Sequence, residues 1–227
     1  MITLTWLSHA SWLIESETHK MLLDPFFNGN PKAENSAADF ADVTHVLVSH
    51  GHEDHTADVA AVIEQSNAQL IASYEIAEWF GKNHGIKNAI GLNIGGTFSL
   101  GDGSIKMVPA LHSSSLPDGS YGGTPAGFVI RVAERSAYFA CDTAFFSDMQ
   151  YYAASVDVAI VPIGDLFTMG IEDSVQSIKI INPKVALPTH YDTWPPIEQD
   201  AERWATLIRS ETDTKPVLLK VGEAFKL

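Results

Sequence analysis

The stretch His45-Val46-Leu47-Val48-Ser49-His50-Gly51-His52-Glu53-Asp54-His55 decides how the chain is read. Val46, Leu47 and Val48 make a short uninterrupted apolar run, the pattern of a strand buried on both faces. The run delivers the chain into His50, and four ligand-type side chains, His50, His52, Asp54 and His55, follow within six residues. A turn at a strand's C-terminal end can converge such groups on one or two points, where a straight strand or helix cannot. A divalent ion such as zinc takes imidazole nitrogens and carboxylate oxygens at about 2.0–2.2 Å. Gly51 supplies the freedom to bend between two of them. A polar surface turn is the competing account, and it leaves this density of ligand types unexplained.

Upstream, residues 3–7, 11–15 and 20–24 read as short strands, the last closed by Pro25, and 28–41 as a polar, non-periodic loop. Downstream, 58–65 has helical spacing, with Val59, Val62 and Ile63 on one face. A strand at 69–73, a helix at 75–83 and a short strand near Ile90 continue the alternation. Residues 97–100 and 104–108 flank Gly101-Asp102-Gly103, a hairpin pattern. Residues 128–132 and 137–141 pair in the same way around Ala133-Glu134-Arg135-Ser136, and 157–161 is a further buried strand. Helices are expected at 172–181 and 198–209, and strands at 185–187 and 217–221. Strands followed by helices, twice over, imply two sheets in one domain, residues 1–227, with helices outside.

Ligand-type residues recur where later strands end: His112 after 107–110, Asp142 after 138–141 and His190 after 185–188. Each alone is as well explained by packing or capping. Their shared placement carries more, because strand ends of a layered domain face a common rim and can meet in space.

In this order and at these intervals, the His-x-His-x-Asp-His turn with His112, Asp142 and His190 resembles the metallo-β-lactamase superfamily. More narrowly, Leu7-Ser8-His9-Ala10-Ser11, Leu22-Leu23-Asp24-Pro25, Cys141-Asp142-Thr143, Pro162-Ile163-Gly164-Asp165 and Pro188-Thr189-His190-Tyr191 are similar to one of its branches. That branch comprises metal-dependent hydrolases related to ascorbate-6-phosphate lactonase. The resemblance implies an α/β fold, the four-layer αββα sandwich, with a dinuclear site between the sheet edges. It assigns His50, His52 and His112 to one metal, Asp54, His55 and His190 to the other, and Asp142 to both. Two divalent ions are expected, zinc first and manganese next; five His and two Asp would also serve iron or nickel.

The departures from the family pattern are small. Glu53 and Cys141 stand where glycine is frequent. Glu53 faces solvent or hydrogen-bonds a ligand. Cys141 points away from Asp142 by strand alternation and is expected in the core. Asp24 is expected to hold the chelating turn or simply to end its strand. His9 lines the site or is a buried structural histidine. Asp165 and Thr168 form a pocket wall or make local hydrogen bonds. His19, His45 and His84 read as structural or exposed.

Two adjacent cations would generate a bridging hydroxide near neutral pH and polarise the bond under attack. Asp54, loosely held, could orient that hydroxide or take a proton, and is the candidate catalytic residue. No Gly-x-Ser-x-Gly elbow is present, and nothing argues for a lowered Cys141 pKa, which disfavours covalent catalysis. The reaction expected is hydrolysis of a small ester, lactone or phosphoester. The alternatives are a phosphodiesterase or nuclease of the same fold, and a non-hydrolytic metal-binding relative with a diiron centre. Such diiron relatives usually carry an electron-carrier domain, for which these residues leave no room.

Fourteen Lys plus Arg stand against 28 Asp plus Glu, a formal net charge of -14 that would repel a phosphate backbone. Nucleic acid is therefore not an expected partner. Neither is a membrane, since no run approaches the ~18 apolar residues needed to span one and the N-terminus lacks an export pattern. A small-molecule substrate and a second copy of the chain remain. One cysteine and no leader point to the cytoplasm.

Overall fold

The computed structural model describes residues 1–227. Its first sheet starts with β1 (Thr3–Trp6), β2 (Trp12–Glu15) and β3 (Lys20–Leu23), followed by β4 (His45–Leu47), β5 (Gln69–Ser73) and β6 (Ala89–Leu92). The second sheet holds β7 (Thr97–Ser99), β8 (Gly103–Pro109), β9 (Ala126–Val132), β10 (Arg135–Phe139), β11 (Val158–Pro162), β12 (Val185–Thr189) and β13 (Lys215–Pro216). A last strand, β14 (Ala224–Lys226), returns to pair with β1 and completes seven strands in each sheet. Each sheet is antiparallel through its hairpins and parallel where helices intervene: β3 to β6 in one, β10 to β13 in the other. The two halves thus repeat one plan, as strands followed by helices require.

Alternation along the strands sorts the apolar residues into layers. In β4 and its extension, Leu47 faces the large core between the sheets, while Val46 and Val48 face a second cluster outside. Trp12, Ile14, Met21, Leu23 and Ile71 join the inner core, and Leu13, Leu22, Leu70 and Ala72 the outer cluster. That outer cluster is covered by Val59, Val62 and Ile63 of α2 (Val59–Ser66) and by Ile76 and Phe80 of α3 (Tyr74–His84). Over the other sheet lie α5 (Ile171–Ile181) and α6 (Ala201–Glu211), with Ile178, Trp204 and Ile208 fully buried. Helix, sheet, sheet, helix is the four-layer α/β sandwich expected.

Several elements differ from the sequence reading. The chelating segment is a turn to His52 followed by one turn of helix, α1 (Glu53–Thr56), with the Thr56 hydroxyl donating to the His52 carbonyl at 2.9 Å. The polar loop at 28–41 contains a 3₁₀ turn, Ala37–Phe40, that stacks Phe40 on Phe27. Another single helical turn, α4 (Met149–Tyr152), lacks enough periodicity to be read. No strand forms over 217–221. Strand pairing with β12 ends at Pro216, with one further bond from Val217 N to the Ala186 carbonyl at 2.9 Å, and Val217, Leu218, Leu219 and Val221 pack half-buried along the core instead. Helix α6 begins at Ala201, where the Asp200 carboxylate accepts from Arg203 N at 2.9 Å, because Pro195–Ile197 takes up a separate 3₁₀ turn.

Candidate metal centre

The candidate ligands gather at one edge of the sandwich, four of them where a strand gives way to a loop. His50 follows β4, His112 follows β8, Asp142 follows β10 and His190 follows β12. Several of these junctions bend through the left-handed region without glycine: His9 (φ 50°), Asp24 (φ 45°), Cys141 (φ 54°) and His190 (φ 55°). Such conformations cost of order 1–3 kcal/mol each and persist only where surrounding contacts hold them. Here the contacts are visible. The His9 carbonyl accepts from the Trp6 indole at 3.0 Å, the Thr189 hydroxyl at 2.8 Å and His190 N at 3.0 Å, which ties the first sheet to the second beside the site.

One ligand atom each of His50, His52 and His112 lie within 4.8 Å of one another, and so do one each of His9, Asp54, His55 and His190. Asp142 sits between the groups. Its Oδ2 is 3.0 Å from His190 Nε2, 3.4 Å from His55 Nε2 and 3.6 Å from His112 Nε2. The seven residues singled out in the sequence thus converge, and His112 and His190 fall within coordination reach of the turn.

Outer hydrogen bonds fix which atoms face inward. Ser49 Oγ donates to Asp24 Oδ2 at 2.6 Å and sits 3.0 Å from His50 Nδ1, so His50 Nδ1 carries the proton and Nε2 is a lone pair. His52 Nε2 is tied to Ser113 Oγ at 3.3 Å, which turns its Nδ1 inward. His52 Nδ1 lies 2.9 Å from His50 Nε2, so the two imidazoles turn ring nitrogens toward the same point. Asp24 Oδ2 also accepts from His55 Nδ1 at 2.9 Å, aiming His55 Nε2 into the site. Buried and without hydrogen-bonded partners are His55 Nε2, Asp142 Oδ1 and both ring nitrogens of His190. Orphaned buried atoms of ligand type at one point are what a metal centre leaves when its ions are not counted. The donor set therefore fits divalent ions.

Burial, then the neighbouring His55, pushes the His50 pKa well below the ordinary imidazole value; burial lowers His52 and His112 as well. Neutral imidazoles are the form that binds metal. His55 goes the other way: burial lowers it, but Asp142, Asp54 and Asp24 together raise it well above the usual range. For Asp142, burial opposes ionisation, while His190 and His55 hold its carboxyl well below that of an ordinary aspartate. Three carboxylates around one imidazole mark a place built for concentrated positive charge.

Asp24 joins this network as one of the two roles expected for it, with Ser49 N donating to its Oδ1 at 2.8 Å. His9 is brought to the site, fully buried, with Nδ1 2.8 Å from Thr193 Oγ1 and Nε2 3.1 Å from Asp54 Oδ2. Burial and the nearby His190 push its pKa down to about 3, so it is neutral and donates to Asp54 while accepting from Thr193. Cys141 is buried with its thiol toward the Phe139 carbonyl, and burial raises its pKa well above normal. Gly51 has an ordinary φ; a side chain there would meet the Ser115 backbone, its carbonyl oxygen at 2.9 Å, so close approach and not flexibility explains the glycine.

Above the ligands lies a cleft of about 590 Å³ lined by His52, Glu53, Asp54, His112, Ser113, Asp142, Leu166, Phe167, His190 and Trp194. Surface grooves of about 500 and 550 Å³ elsewhere are lined by no comparable cluster of histidines and aspartates. Asp165 and Thr168 do not line it. They close their own loop, Asp165 Oδ1 accepting from Leu166 N at 2.8 Å, and the wall is made by Leu166 and Phe167. Ser49, Thr143 and Thr193 also escaped the sequence reading. Ser49 and Thr193 adjoin or nearly adjoin His50 and His190, a usable clue; Thr143 clasps Leu111 N at 2.9 Å and Met169 N at 3.0 Å, which no spacing reveals.

Residues 19–191 match the family model of the β-lactamase superfamily domain. The chain belongs to the metallo-β-lactamase superfamily. A UPF0173 metal-dependent hydrolase of Pelotomaculum thermopropionicum is 40% identical over 230 residues, covering 98% of this chain and 99% of its own. A metallo hydrolase from the hyperthermophilic archaeon Ignicoccus hospitalis superposes with a TM-score of 0.87 at 30% identity, covering 100% of this chain and 99% of its own. This member of the superfamily is accordingly a metal-dependent hydrolase. The diiron β-hydroxylase CmlA of Streptomyces venezuelae shares the fold at a TM-score of 0.76 and 16% identity; this chain, covered in full, spans 54% of it. Metallo-β-lactamase architecture by itself therefore does not choose the reaction.

Proposed function

We propose that His50, His52 and His112 hold one divalent ion and Asp54, His55 and His190 a second, with Asp142 shared, and that the centre hydrolyses a small ester, lactone or phosphoester. The carrying observation is the convergence on one point of ring nitrogens of His50 and His52 with the partnerless His55 Nε2, Asp142 Oδ1 and His190 Nε2. Two ions there would lower the pKa of a shared water toward neutrality and polarise the bond under attack, with zinc favoured and manganese next.

The chain's own groups do the rest. Asp54 lines the cleft and stays ionised: burial raises its pKa, but His55 and the hydrogen bond from His9 bring it below the usual carboxylate range. It is placed to orient an attacking water or to take a proton as the scissile bond breaks. His9, fixed by Thr193, keeps that carboxylate from rotating away. Asp24 and Ser49 hold the rings of His55 and His50. The acidic charge and the small cleft favour a small molecule over nucleic acid, and no helix is long and apolar enough to cross a membrane. A free, buried Cys141 suits a cytoplasmic setting.

Elemental analysis of protein purified without chelators and reconstituted with zinc should give about two equivalents per chain. Turnover of at least one of a carboxylic ester, a lactone and a phosphoester should depend on that metal. At most one equivalent after reconstitution, or no metal-dependent turnover in any class, would sink this reading.

A further inference from the structure

Building on that hydrolytic reading, we propose that the substrate is an uncharged ester or lactone whose alkyl or aryl portion lies on Leu166, Phe167 and Trp194 across the cleft from the metal ligands. Leu166 and Phe167 are 66% and 56% exposed, an unusual display of large apolar surface beside polar chemistry. They do not dangle. Asp165 N donates to the Met169 carbonyl at 3.1 Å, Thr168 N to the Asp165 carbonyl at 3.2 Å, and Met169 N to the Thr143 carbonyl at 3.0 Å. The loop is a closed ring anchored on the residue after Asp142, so both side chains are presented at a fixed distance from the ligands. Trp194 completes the wall, its ring set edge-on to His9 with centroids 5.0 Å apart and packed near Phe26 at 5.9 Å.

Charge separates this reading from an anionic substrate. The charged side chains lining the cleft are Glu53, Asp54, Asp142 and histidines, and there is no lysine or arginine. Asp54, Asp142 and Glu53 would offset most of the charge brought by two divalent ions, in a chain of formal charge -14. A phosphate or carboxylate substituent away from the reacting bond would find no cationic partner and would meet exposed Glu53 at the rim. A hydrocarbon substituent gains from every contact with Leu166, Phe167 and Trp194.

Two substrates that share a leaving group make the test: 4-nitrophenyl butyrate and mono-4-nitrophenyl succinate, which differ by a terminal carboxylate. With zinc-loaded full-length protein, kcat/KM for the butyrate should exceed that for the succinate half-ester about ten-fold or more. The double variant Leu166→Ser/Phe167→Ser should lose about ten-fold in kcat/KM on the butyrate, mainly through KM. Its zinc content should not change. Equal turnover of the half-ester, or an unaltered KM for the butyrate in the double variant, overturns the proposal.

A binding measurement keeps the subsite separable from the hydrolytic reading. Quenching of Trp194 fluorescence, checked against Trp194→Phe, is followed with 4-nitrobenzyl alcohol and 4-nitrobenzoate. If no ester is cleaved, hydrolysis fails as a reading; tighter binding of the alcohol, lost in the double variant, still supports the apolar subsite. Equal binding of the alcohol by the parent and the double variant overturns it.

Discussion

At the scale of single residues, Asp142 and its neighbour Cys141 give the sharpest contrast. Asp142 Oδ2 lies within 3.6 Å of three imidazoles and its Oδ1 has no partner, whereas the Cys141 thiol is buried toward the Phe139 carbonyl and resists ionisation. Asp142→Asn keeps the shape and removes the charge, and is expected to cost one metal equivalent and more than about 100-fold in turnover, beyond what losing a hydrogen-bonded support costs. Cys141→Ala is expected to keep both metals and lose about 1 kcal/mol of packing. Metal loss in Cys141→Ala with Asp142→Asn unaffected would make sulfur the ligand. His9 supplies a graded comparison. His9→Ala should lower turnover about 10–100-fold through a freely rotating Asp54, and His9→Gln, which retains a donor, should recover part of it. Equal activity of all three would reduce His9 to filler. The ligands were legible because polar residues crowd the ends of apolar runs. His9 was not assigned uniquely, since its partner Thr193 lies 184 positions away and only the fold brings them together.

At the scale of elements, β4 and the turn after it were readable because three apolar residues buried on both faces admit few alternatives. What failed were elements whose fate depends on a neighbour: 217–221 is as apolar as a strand but has no strand partner beyond Val217, and β14 is too short to announce itself. Gly51 is required by close approach and not by freedom to bend: its φ is ordinary, and a side chain there would meet the Ser115 carbonyl oxygen at 2.9 Å. Gly51→Ala must therefore push the 114–116 backbone off the chelating turn, where Gly51 N donates to Ser114 Oγ at 3.0 Å. Loss of zinc affinity with the fold retained, read by zinc titration and circular dichroism, is expected; unchanged affinity would mean that the loop yields freely. A second element-level contact is remote from the site. Asp157 accepts from Ser136 N at 3.0 Å, Ser136 Oγ at 3.1 Å and Lys184 Nζ at 2.7 Å, joining β10, β11 and β12 at their starts. Burial raises its pKa, but Lys184 and Ser136 lower it more, so the net shift is downward. A depressed folded pKa contributes stability above the unfolded value that is lost as pH falls through the folded one. Asp157→Asn should thus cost about 1–2 kcal/mol in urea unfolding at pH 7, with the gap to the parent closing below about pH 4. A gap independent of pH would assign the loss to packing.

For the whole molecule, the ligands divide between the sheets. His50, His52, Asp54 and His55 hang from the first, and His112, Asp142 and His190 from the second, so bound ions would cross-link the two sheets at one edge. The opposite edge has its own tie. His19 Nε2 meets Asp102 Oδ1 at 2.6 Å, bridging the β2–β3 turn to the β7–β8 turn without any metal. Removing the metal should therefore loosen the molecule from one end. Binding at about 100 times Kd contributes ~2.7 kcal/mol, and a chain of this size shifts ~2–4 °C per kcal/mol, so chelation should lower Tm by about 5–10 °C and zinc should restore it. Hydrogen exchange locates the effect. Amides of 49–56, 110–115 and 189–194 should exchange faster in the chelated protein, while those of 16–20 and 99–104 keep their protection. Orphaned His55, Asp142 and His190 are the reason, since without cations the buried edge holds unpaired polar atoms that cost about 1–3 kcal/mol each and favour local opening. A uniform rise in exchange across both edges would show that the ions stabilise the fold globally, and an unchanged Tm would show that they do not join the sheets at all.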